Sequence, residues 1–305
     1  MVQAQIASLL RQTGVRLRLV GVIDGAETAQ DHGLMALLAE AGFDVLINAE
    51  NQGAVATFAR GLEYALETAA EGECFAYCDQ DDVWHDSKLA KSAAHLAASA
   101  AHLVYCDARV IDDAGEIVAS SLHDFESRQE PEDLLQHLLL NAVTGMTALF
   151  TRDTAELALR LLRSTNTSFL HDHVTAIAAA SLGTTARLAE PLVDYVQHGE
   201  NQLGARPHNP AWRRRSLGVF HLWAYRATSS AMFDERRTIA SALDREGRLP
   251  ANIATMFLVR RPGFFRFEVT YIAAIRRLLT RRQYRRAMLC LRMMDAAFSR
   301  WLRGA

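Results

Sequence analysis

Runs of β-branched and leucine residues alternate along the first part of the chain with longer stretches whose apolar residues recur at helical spacing. The apolar runs predict strands at 16–24, 44–50, 74–79 and 102–112. The helical spacing predicts helices at 2–13, 33–41, 54–70 and 86–100. The turn "DDAG" at 112–115 predicts a hairpin after the fourth strand. Strands that alternate with helices are typical of an α/β fold with a largely parallel sheet.

Polar residues lie at the ends of three predicted strands. Asp24 and Asn51 follow the first and second strands, and Asp79–Asp82 follows the third. In open α/β sheets, ligands bind outside the carboxyl ends of the strands. The pattern therefore predicts that these three positions share one site.

The segment "AYCDQDDVWHDSK" carries three close carboxylates, Asp79, Asp81 and Asp82, which repel one another unless a cation lies between them. Oxygen ligands at short spacing suit Mg²⁺ or Mn²⁺. Mg²⁺ usually takes one or two protein carboxylates and completes its shell with water and substrate phosphates. The spacing leaves an alternative open, because Asp82 or Asp86 could instead cap the helix that follows.

The cysteines and the apolar runs bear on the cellular compartment. None of the four cysteines forms a paired zinc-ribbon spacing, so we expect reduced core residues of a cytosolic protein. A metal site built from two of them with nearby histidines matches no known zinc pattern. No signal peptide is recognisable, and no apolar run reaches the roughly 18 residues of a membrane-spanning helix. The cysteines are Cys74, Cys78, Cys106 and Cys290.

The net charge of −2 hides a division of the chain. Residues 1–205 contain 12 Lys and Arg against 29 Asp and Glu, a net charge of −17. Residues 206–305 contain 21 Arg, no Lys and 6 Asp and Glu, a net charge of +15. The charge predicts two domains with different tasks, 1–205 and an arginine-rich helical region at 206–305. The clearest helical pattern in that region lies at 275–302.

The segment "CDQDDVWHDSKLAKS" closely resembles the "CDQDDIW…K" segment of family 2 glycosyltransferases, particularly the rhamnosyltransferase-like branch. Further segments resemble this family in unbroken order over roughly 3–205. The resemblance implies a GT-A fold, a Rossmann-like sheet flanked by helices, and inverting transfer of a sugar from a nucleotide-sugar. These segments are "NAENQGAVATFARGL", "LVYCDARVIDDAGEIV", "NAVTGMTALFTRD", "FLHDHVTAIAAASLG" and "PLVDYVQHGENQLGA".

The resemblance also assigns the acidic residues and a histidine. Asp79 and Asp81 match the metal–diphosphate motif for Mg²⁺ or Mn²⁺, with Asp81 favoured as the direct ligand. His198, in "QHGEN", matches a histidine that approaches the diphosphate or the metal. Asp172, in "HDH", matches the catalytic base, which removes the proton of the acceptor hydroxyl. Asp172 could also cap a helix that begins at Val174.

Further positions match the donor side of the family's site. Asp24, Asn51 and Gly53 match nucleotide-contacting positions, although Asp-Gly and Asn-x-Gly are also ordinary turn formers. Thr144 and Gly145 would line the sugar side. We therefore expect a nucleotide-sugar donor, dTDP- or UDP-linked, and a saccharide or lipid-linked saccharide acceptor.

The chain departs from the family pattern at several positions. Ile23 replaces the first aspartate of a "DDGS" motif, Ala26 replaces its serine, and Val196 replaces the arginine before "QHG". The family's opening strand, of the type "VSVVMATYNG", has no counterpart. We expect either that about 25 residues are missing before the first helix or that the chain is a degraded relative.

The arginine-rich region leaves three interpretations open. Arginine interleaved with apolar residues suits an anionic membrane surface, a nucleic acid or a solvated helical bundle. Enzymes of the resembled family often act on lipid-linked saccharides, so we favour the inner face of the cell membrane and expect no nucleic acid. The functional hypotheses are a cytoplasmic glycosyltransferase for surface polysaccharide or lipopolysaccharide, a catalytically degraded membrane-peripheral or scaffolding relative, and a nucleotidyltransferase or phosphohydrolase.

Overall fold

The structure is a computed structural model that describes residues 1–25, 29–165, 169–197, 219–258 and 269–270. The chain divides into two compact units, Met1–Pro207 and His208–Ala305. Each unit is described separately below.

The described part of the first unit contains eight helices and seven strands, with a 3₁₀ turn at Gly145–Thr147. The helices are α1 (Val2–Leu10), α2 (Ala29–Glu40), α3 (Ala54–Thr68), α4 (Lys88–Ser99), α5 (Leu122–Glu126), α6 (Leu134–Leu139), α7 (Arg152–Ser164) and α8 (His171–Leu182). The strands are β1 (Leu19–Asp24), β2 (Phe43–Asn48), β3 (Val83–Trp84), β4 (Leu103–Ile111), β5 (Ile117–Ala119), β6 (Ala148–Phe150) and β7 (Thr185–Val196). The predicted α/β class is confirmed.

The strands form two sheets. β1 and β2 pair in parallel, and their last paired residues are Asp24 and Asn48. The larger sheet has the order β3-β7-β4-β5, and β6 also pairs with β4. There β4 and β7 are parallel, while β3, β5 and β6 run antiparallel to their neighbours.

The larger sheet is therefore mixed, whereas the sequence predicted a largely parallel one. The turn at 112–115 leaves too few residues between β4 and β5 for a parallel crossover, so the two strands form the predicted hairpin. The parallel β4–β7 pair joins residues about eighty positions apart, a pairing that periodicity does not reveal.

The predicted strand at 74–79 is wrong. Among its residues only Phe75 pairs, through reciprocal 2.8 Å hydrogen bonds with Phe150. Phe75 and Tyr77 are buried while Ala76 is exposed, so the alternation that suggested a strand is present. Alternating burial requires only an extended chain, whereas a strand also needs a partner along its length. After one bridge this segment leaves the sheet and leads to Asp79.

The core of the first unit surrounds β4, where Leu103, Val104 and Val110 are fully buried. Val104 and Val110 pack with residues of α1, β3 and α4 on one face. Leu103 and Tyr105 pack with residues of α3, β6 and α8 on the other. A strand that is covered on both faces is mostly apolar along its length, and β4 is so except at Asp107 and Arg109, which explains why it was predicted correctly.

The described cysteines carry free thiols, as predicted for Cys74, Cys78 and Cys106. Cys106 is buried in the core, but Cys74 is exposed, so the expectation that it is a core residue is wrong. Cys74 lies in the irregular segment directly before the Phe75 bridge, outside the sheet. Cys290 lies outside the described residues.

The described part of the second unit contains α9 (Val219–Arg245) and α10 (Ala251–Phe257). Phe233 of α9 stacks on Phe257 of α10 with ring centroids 5.8 Å apart, and Ile239 and Leu243 are fully buried. The arginine-rich pattern at 275–302 lies outside the described residues. Within the described ranges, no helix combines the length and the apolar character needed to cross a bilayer.

Candidate functional site

Asp24, the last residue of β1, anchors the loop that follows β2. Its carboxylate accepts hydrogen bonds from the backbone N–H groups of Gln52 and Gly53, each at 2.9 Å, and from the Nδ2 of Asn48 at 2.7 Å. Burial raises the pKa of Asp24, but the hydrogen bonds from Asn48 and the loop outweigh it and lower that pKa below the ordinary value. Asp24 is therefore an ionised anchor of the loop at 51–53.

Asn51 and Gly53 lie in this loop directly before α3. The Oδ1 of Asn51 accepts a 3.1 Å hydrogen bond from the N–H of Gly53, and the side chain of Asn51 is exposed. Gly53 has a φ of +83°, which favours glycine. Gly25 has a φ of +84°, and a Cβ there would lie 3.1 Å from the backbone nitrogen of Asn51. The turn chemistry expected from the sequence is thus present.

The carboxylates of Asp79, Asp81 and Asp82 lie between the Phe75 bridge and β3. Burial, together with the charges of Asp81 and Asp172, raises the pKa of Asp79 to about 7. Tyr77, two residues before Asp79, packs on α8, because its ring lies 4.6 Å from that of His171 and its hydroxyl lies 3.0 Å from the Oγ1 of Thr175. The fold therefore brings the segment of Asp79 to the helix that carries the predicted base, 93 positions away in the sequence.

Asp82 points away from solvent. It is 1 % exposed, and among the described residues neither carboxylate oxygen has a hydrogen-bond partner of standard geometry. Burial and the charges of Asp79 and Asp81 raise its pKa well above the ordinary value, while Lys88 and the backbone of Val196 act in the opposite direction. The alternative that Asp82 or Asp86 caps α4 is wrong, because the residue that precedes α4 is Ser87. Asp86 instead pairs with Arg11 at 3.2 Å.

Asp172 lies in the first turn of α8 and is buried. Its carboxylate accepts hydrogen bonds from the N–H of His173 at 2.5 Å, the N–H of Gly145 at 3.2 Å and the Nδ2 of Asn141 at 3.4 Å. Burial raises its pKa to about 6, and these hydrogen bonds oppose that rise. The alternative of a cap for a helix beginning at Val174 is wrong, because α8 begins at His171 and Leu170 precedes it as the cap residue.

Gly145 packs directly against α8. A Cβ at Gly145 would lie 3.0 Å from the Nε2 of His171 and 3.7 Å from the Cβ of Asp172. Neighbouring Thr144 accepts a 2.6 Å hydrogen bond from the Nη1 of Arg128. The predicted sugar-side pair therefore adjoins the predicted base, and Gly145 contacts it through both its N–H group and its bare Cα.

The predicted residues fall into two groups. Asp24, Asn51 and Gly53 form one, and the second is Asp79, Asp81, Asp172, Thr144 and Gly145. Helix α3 extends from the first group to the second, because Phe58 stacks on His171 with ring centroids 3.7 Å apart. His198, predicted near the diphosphate or metal, lies outside the described residues.

Sequence reasoning missed several supporting residues. Asn141 and Arg128 contact Asp172 or its neighbour Thr144, and Asn48 links Asp24 to Arg60. Asn48 and Asn141 both lie at the starts of segments that resemble the family, "NAENQG" and "NAVTG", so a signal for them was present. Arg128 lies in a stretch with no recognisable pattern, and tertiary contacts alone identify it.

The fit of Mg²⁺ or Mn²⁺ depends on the carboxylates. Burial, with a further contribution from the charge of Asp81, raises the pKa of Asp79, and Asp82 is the next residue along the chain from Asp81. Such a cluster favours a cation. Within the described ranges, no three His, Cys, Asp or Glu side chains converge as a metal cage. Two carboxylates nevertheless suffice for Mg²⁺ when substrate phosphates and water supply the remaining ligands.

Comparison with known proteins gives a family. The model of glycosyl transferase family 2 matches residues 1–156. No curated protein matches the chain. Among solved structures, S. aureus TarS 1–349 in complex with UDP-GlcNAc is similar with 14% identity and a TM-score of 0.47, over 90% of this chain and 77% of that one.

The structure of S. aureus TarS is similar with 14% identity and a TM-score of 0.49, over 97% of this chain and 51% of that one. The chain thus spans about half the length of that TarS chain. The family model covers just over half of the present chain, including the carboxylates of 79–82 and the loop at 51–53. The chain therefore belongs to glycosyl transferase family 2 and is a glycosyltransferase.

Proposed function

We propose that this protein is an inverting, metal-dependent glycosyltransferase. It moves a sugar, with rhamnose as one candidate, from a dTDP- or UDP-linked donor to a surface polysaccharide or lipopolysaccharide acceptor. The observation that carries the proposal is the packing of the segment before Asp79 against the first turn of α8, where the rings of Tyr77 and His171 lie with centroids 4.6 Å apart. It joins a candidate donor motif and a buried candidate base in one site.

Asp172 has the surroundings that a general base needs. Its pKa of about 6 leaves it ionised at neutral pH yet basic enough to accept a proton. As the acceptor oxygen forms its bond to the anomeric carbon, the bond from that carbon to the nucleoside diphosphate breaks and the hydroxyl proton passes to Asp172. The N–H groups of Gly145 and His173 hold the carboxylate in position throughout.

Asp79 and Asp81, with His198 as a further candidate, would hold Mg²⁺ or Mn²⁺. The bound ion would neutralise charge on the departing nucleoside diphosphate. Without the ion, burial and the charges of Asp81 and Asp172 raise the pKa of Asp79 to about 7, so its carboxylate is partly protonated at neutral pH. We therefore expect protons and divalent cations to compete for this carboxylate.

On the donor side, the loop at 51–53 is the candidate for contact with the nucleotide. The side chain of Asn51 in this loop is exposed to solvent and could contact a nucleotide. Asp24 anchors the loop by accepting hydrogen bonds from the N–H groups of Gln52 and Gly53. Asp24 would then act on the nucleotide mainly through the loop that it anchors.

For its location, we propose the cytoplasm, at the inner face of the cell membrane. The support is the charge of residues 206–305, where 21 Arg stand against 6 Asp and Glu. Arginine at this density is attracted to anionic lipid headgroups.

The test is a binding and turnover experiment on the full chain. Calorimetry with UDP and dTDP, with and without Mn²⁺, should give binding that requires the metal. Incubation with UDP- and dTDP-sugars and saccharide acceptors should release a nucleoside diphosphate. Asp172→Asn should lower this turnover by at least about a thousandfold while nucleotide binding persists.

The matched control is Asp153→Asn, because Asp153 also lies in the first turn of a helix, α7, but is exposed. It should leave turnover unchanged. Release of a sugar phosphate would instead indicate a nucleotidyltransferase or phosphohydrolase. Nucleotide binding that does not need metal, or turnover that survives in Asp172→Asn, would contradict the proposal.

A further inference from the structure

An arginine joins the end of α5 to the segment that leads into the 3₁₀ turn. The Nη1 of Arg128 donates hydrogen bonds to the Oγ1 of Thr144 at 2.6 Å and to the carbonyl of Ala142 at 3.2 Å. Its Nε donates to the carboxylate of Glu126, the last residue of α5, at 2.7 Å. The guanidinium group of Arg128 is therefore held by a carboxylate on one side and contacts the segment at 142–144 on the other.

The segment that Arg128 contacts is also the one that holds Asp172. The Nδ2 of Asn141 donates to one carboxylate oxygen of Asp172 at 3.4 Å, and the N–H of Gly145 donates to the other at 3.2 Å. Both groups that accept hydrogen bonds from the arginine lie between these two donors in the chain. A shift of this segment would therefore move both donors relative to the carboxylate.

The stretch that carries this arginine is itself anchored to the larger sheet. Asp107 of β4 is buried, and it accepts from the Oγ of Ser121 at 2.6 Å and from the N–H of His123 at 3.2 Å. Arg187 of β7 donates to Glu130 at 2.7 Å and to Asp107 at 3.3 Å. The stretch is thus held to the sheet both before and after the arginine, which gives the guanidinium group a fixed origin.

The alternative is that the arginine only ties two parts of the fold together. Arg152 of α7 has such contacts, because its Nη2 donates to the carbonyls of Ala69 at 2.8 Å and Ala70 at 3.1 Å. Its side chain is 28% exposed, against 20% for Arg128. The two arginines differ in what they hold. Arg152 holds the loop that follows α3, whereas Arg128 holds the segment that contacts Asp172.

We infer that Arg128 is a positioning residue for Asp172 and that it acts through the segment at 141–145. A guanidinium group presents several N–H donors in one plane, so it engages Glu126 and the segment at the same time. A lysine has a single nitrogen and would keep fewer of these contacts, and a methionine would keep none. The role of Asp172 as the base rests on the proposed function, but the hold of Arg128 on the segment does not.

The first experiment compares Arg128→Met and Arg128→Lys with wild type in the full chain. Steady-state kinetics use the UDP- or dTDP-sugar and the saccharide acceptor that wild type turns over. Arg128→Met should lower kcat by at least about tenfold, because a displaced base slows the transfer. The KM for the donor should change by less than about threefold, because the contact with the donor is not altered. Arg128→Lys should have a kcat between those of wild type and Arg128→Met.

The second measurement does not depend on turnover. Hydrogen exchange of the backbone amide of Gly145 reports on its hydrogen bond to Asp172. Arg128→Met should speed this exchange by at least about tenfold, because the segment at 141–145 opens more often without the arginine. Arg128→Lys should speed it by less.

Arg152→Met is the matched control. It should lower the melting temperature about as much as Arg128→Met, but it should leave both kcat and the exchange of Gly145 unchanged. A loss of kcat that Arg152→Met shares, or a kcat of Arg128→Met within about twofold of wild type, would overturn the positioning role. Unchanged exchange at Gly145 would overturn the route through 141–145.

Arg128→Lys applies the same criteria if Arg128→Met does not fold, since it keeps the charge and part of the contacts. If wild type turns over no donor, the proposed function fails, while the exchange of Gly145 still decides whether Arg128 holds the segment.

Discussion

At the scale of single residues, some contacts of the site require a particular side chain, and others require that there be no side chain at all. Gly145 shows the second case, because its φ lies outside the left-handed region and its conformation is open to other residues. The constraint comes instead from the Nε2 of His171, 3.0 Å from where a Cβ would stand. The same residue donates its N–H to Asp172, so a steric change at Gly145 reaches the base directly.

Gly145→Ala should therefore lower kcat by about ten- to a hundredfold, because the added methyl group would displace the carboxylate of Asp172 and a misplaced base slows the reaction by about this much. It should also destabilise the fold by roughly 1 to 3 kcal/mol, the usual cost of overpacking. Gly33→Ala in α2 is the control, because none of the described atoms lies within 4 Å of where its Cβ would stand. That change should stabilise by about 0.5 to 1 kcal/mol. Denaturant unfolding and steady-state kinetics measure both, and equal effects of the two substitutions would refute the explanation.

The ionised form of Asp172 should support activity, whereas its burial lowers the stability of the fold. Burial raises its pKa to about 6 in the folded protein, above the ordinary value of 3.8. Folding therefore binds a proton more tightly at Asp172, and stability from this group is lost as pH rises from about 3.8 through 6. Asp172→Asn should raise the free energy of unfolding at pH 8 by on the order of 1 to 3 kcal/mol, while turnover is lost.

The kinetic counterpart is a pH profile. Because the ionised form is the base, kcat of the wild type should fall about tenfold per pH unit below a pKa near 6. A kcat that stays level between pH 5 and 7 would remove Asp172 from this role.

At the scale of elements, the end of β1 and the start of α3 act as one unit. Asp24 is the link, because it accepts from the loop at 51–53 on one side and from Asn48 of β2 on the other. Arg60 of α3 adds a second link, donating to the carbonyl of Ile47 at 2.5 Å and to the Oδ1 of Asn48. The loop is thus held by the strand before it and by the helix after it.

Substitutions at the two ends of this unit should separate structure from binding. Asp24→Ala removes three hydrogen bonds and should destabilise the fold by roughly 1 to 3 kcal/mol. Asn51→Ala removes one exposed hydrogen bond and should cost less than about 0.5 kcal/mol. If the loop contacts the nucleotide, Asn51→Ala should nevertheless weaken UDP or dTDP binding severalfold. Unchanged affinity in that variant, measured by calorimetry, would exclude Asn51 from the nucleotide site.

At the scale of the whole molecule, buried ionisable groups of both signs shape the response to pH. Burial lowers the pKa of His137 to about 4 and that of His171 to about 3. Their folded forms are neutral, so the stability they contribute is present above pH 6.5 and is lost as pH falls below it. Asp79 and Asp172, with pKa values raised to about 7 and 6, act in the opposite direction.

His171→Phe tests this balance. Within the part of the chain that the structure describes, neither imidazole nitrogen has a hydrogen-bond partner, and the ring stacks on Phe58, so an apolar ring suits the same space. At pH 5 the variant should be more stable than wild type by roughly 1 to 2 kcal/mol, because the unfolded histidine no longer gains a proton. At pH 8 this advantage should vanish. A difference in stability that is independent of pH would show that packing, and not protonation, governs this position.

The local pattern of the sequence was enough to predict those elements whose apolar residues follow one regular pattern along their length. β4 is mostly apolar and packed on both faces, and the apolar residues of α3 recur at helical spacing, so both were predicted within two residues of their bounds. The segment at 74–79 had the alternation of a strand but not the partner, which is a property of the distant residue Phe150. The mixed order of the larger sheet likewise follows from pairings between residues far apart in the chain.

For the site, the sequence by itself determined which residue types are present and at which strand and helix ends they lie: Asp24, Asn51, the carboxylates of 79–82 and Asp172. Only the tertiary structure decided what each one faces. Asp82 and Lys88 are polar residues in a polar stretch, and their burial arises because α4 and β3 pack on β4. Burial and the distance to another charge depend on the whole fold, and they set the pKa values and partners from which the chemistry follows.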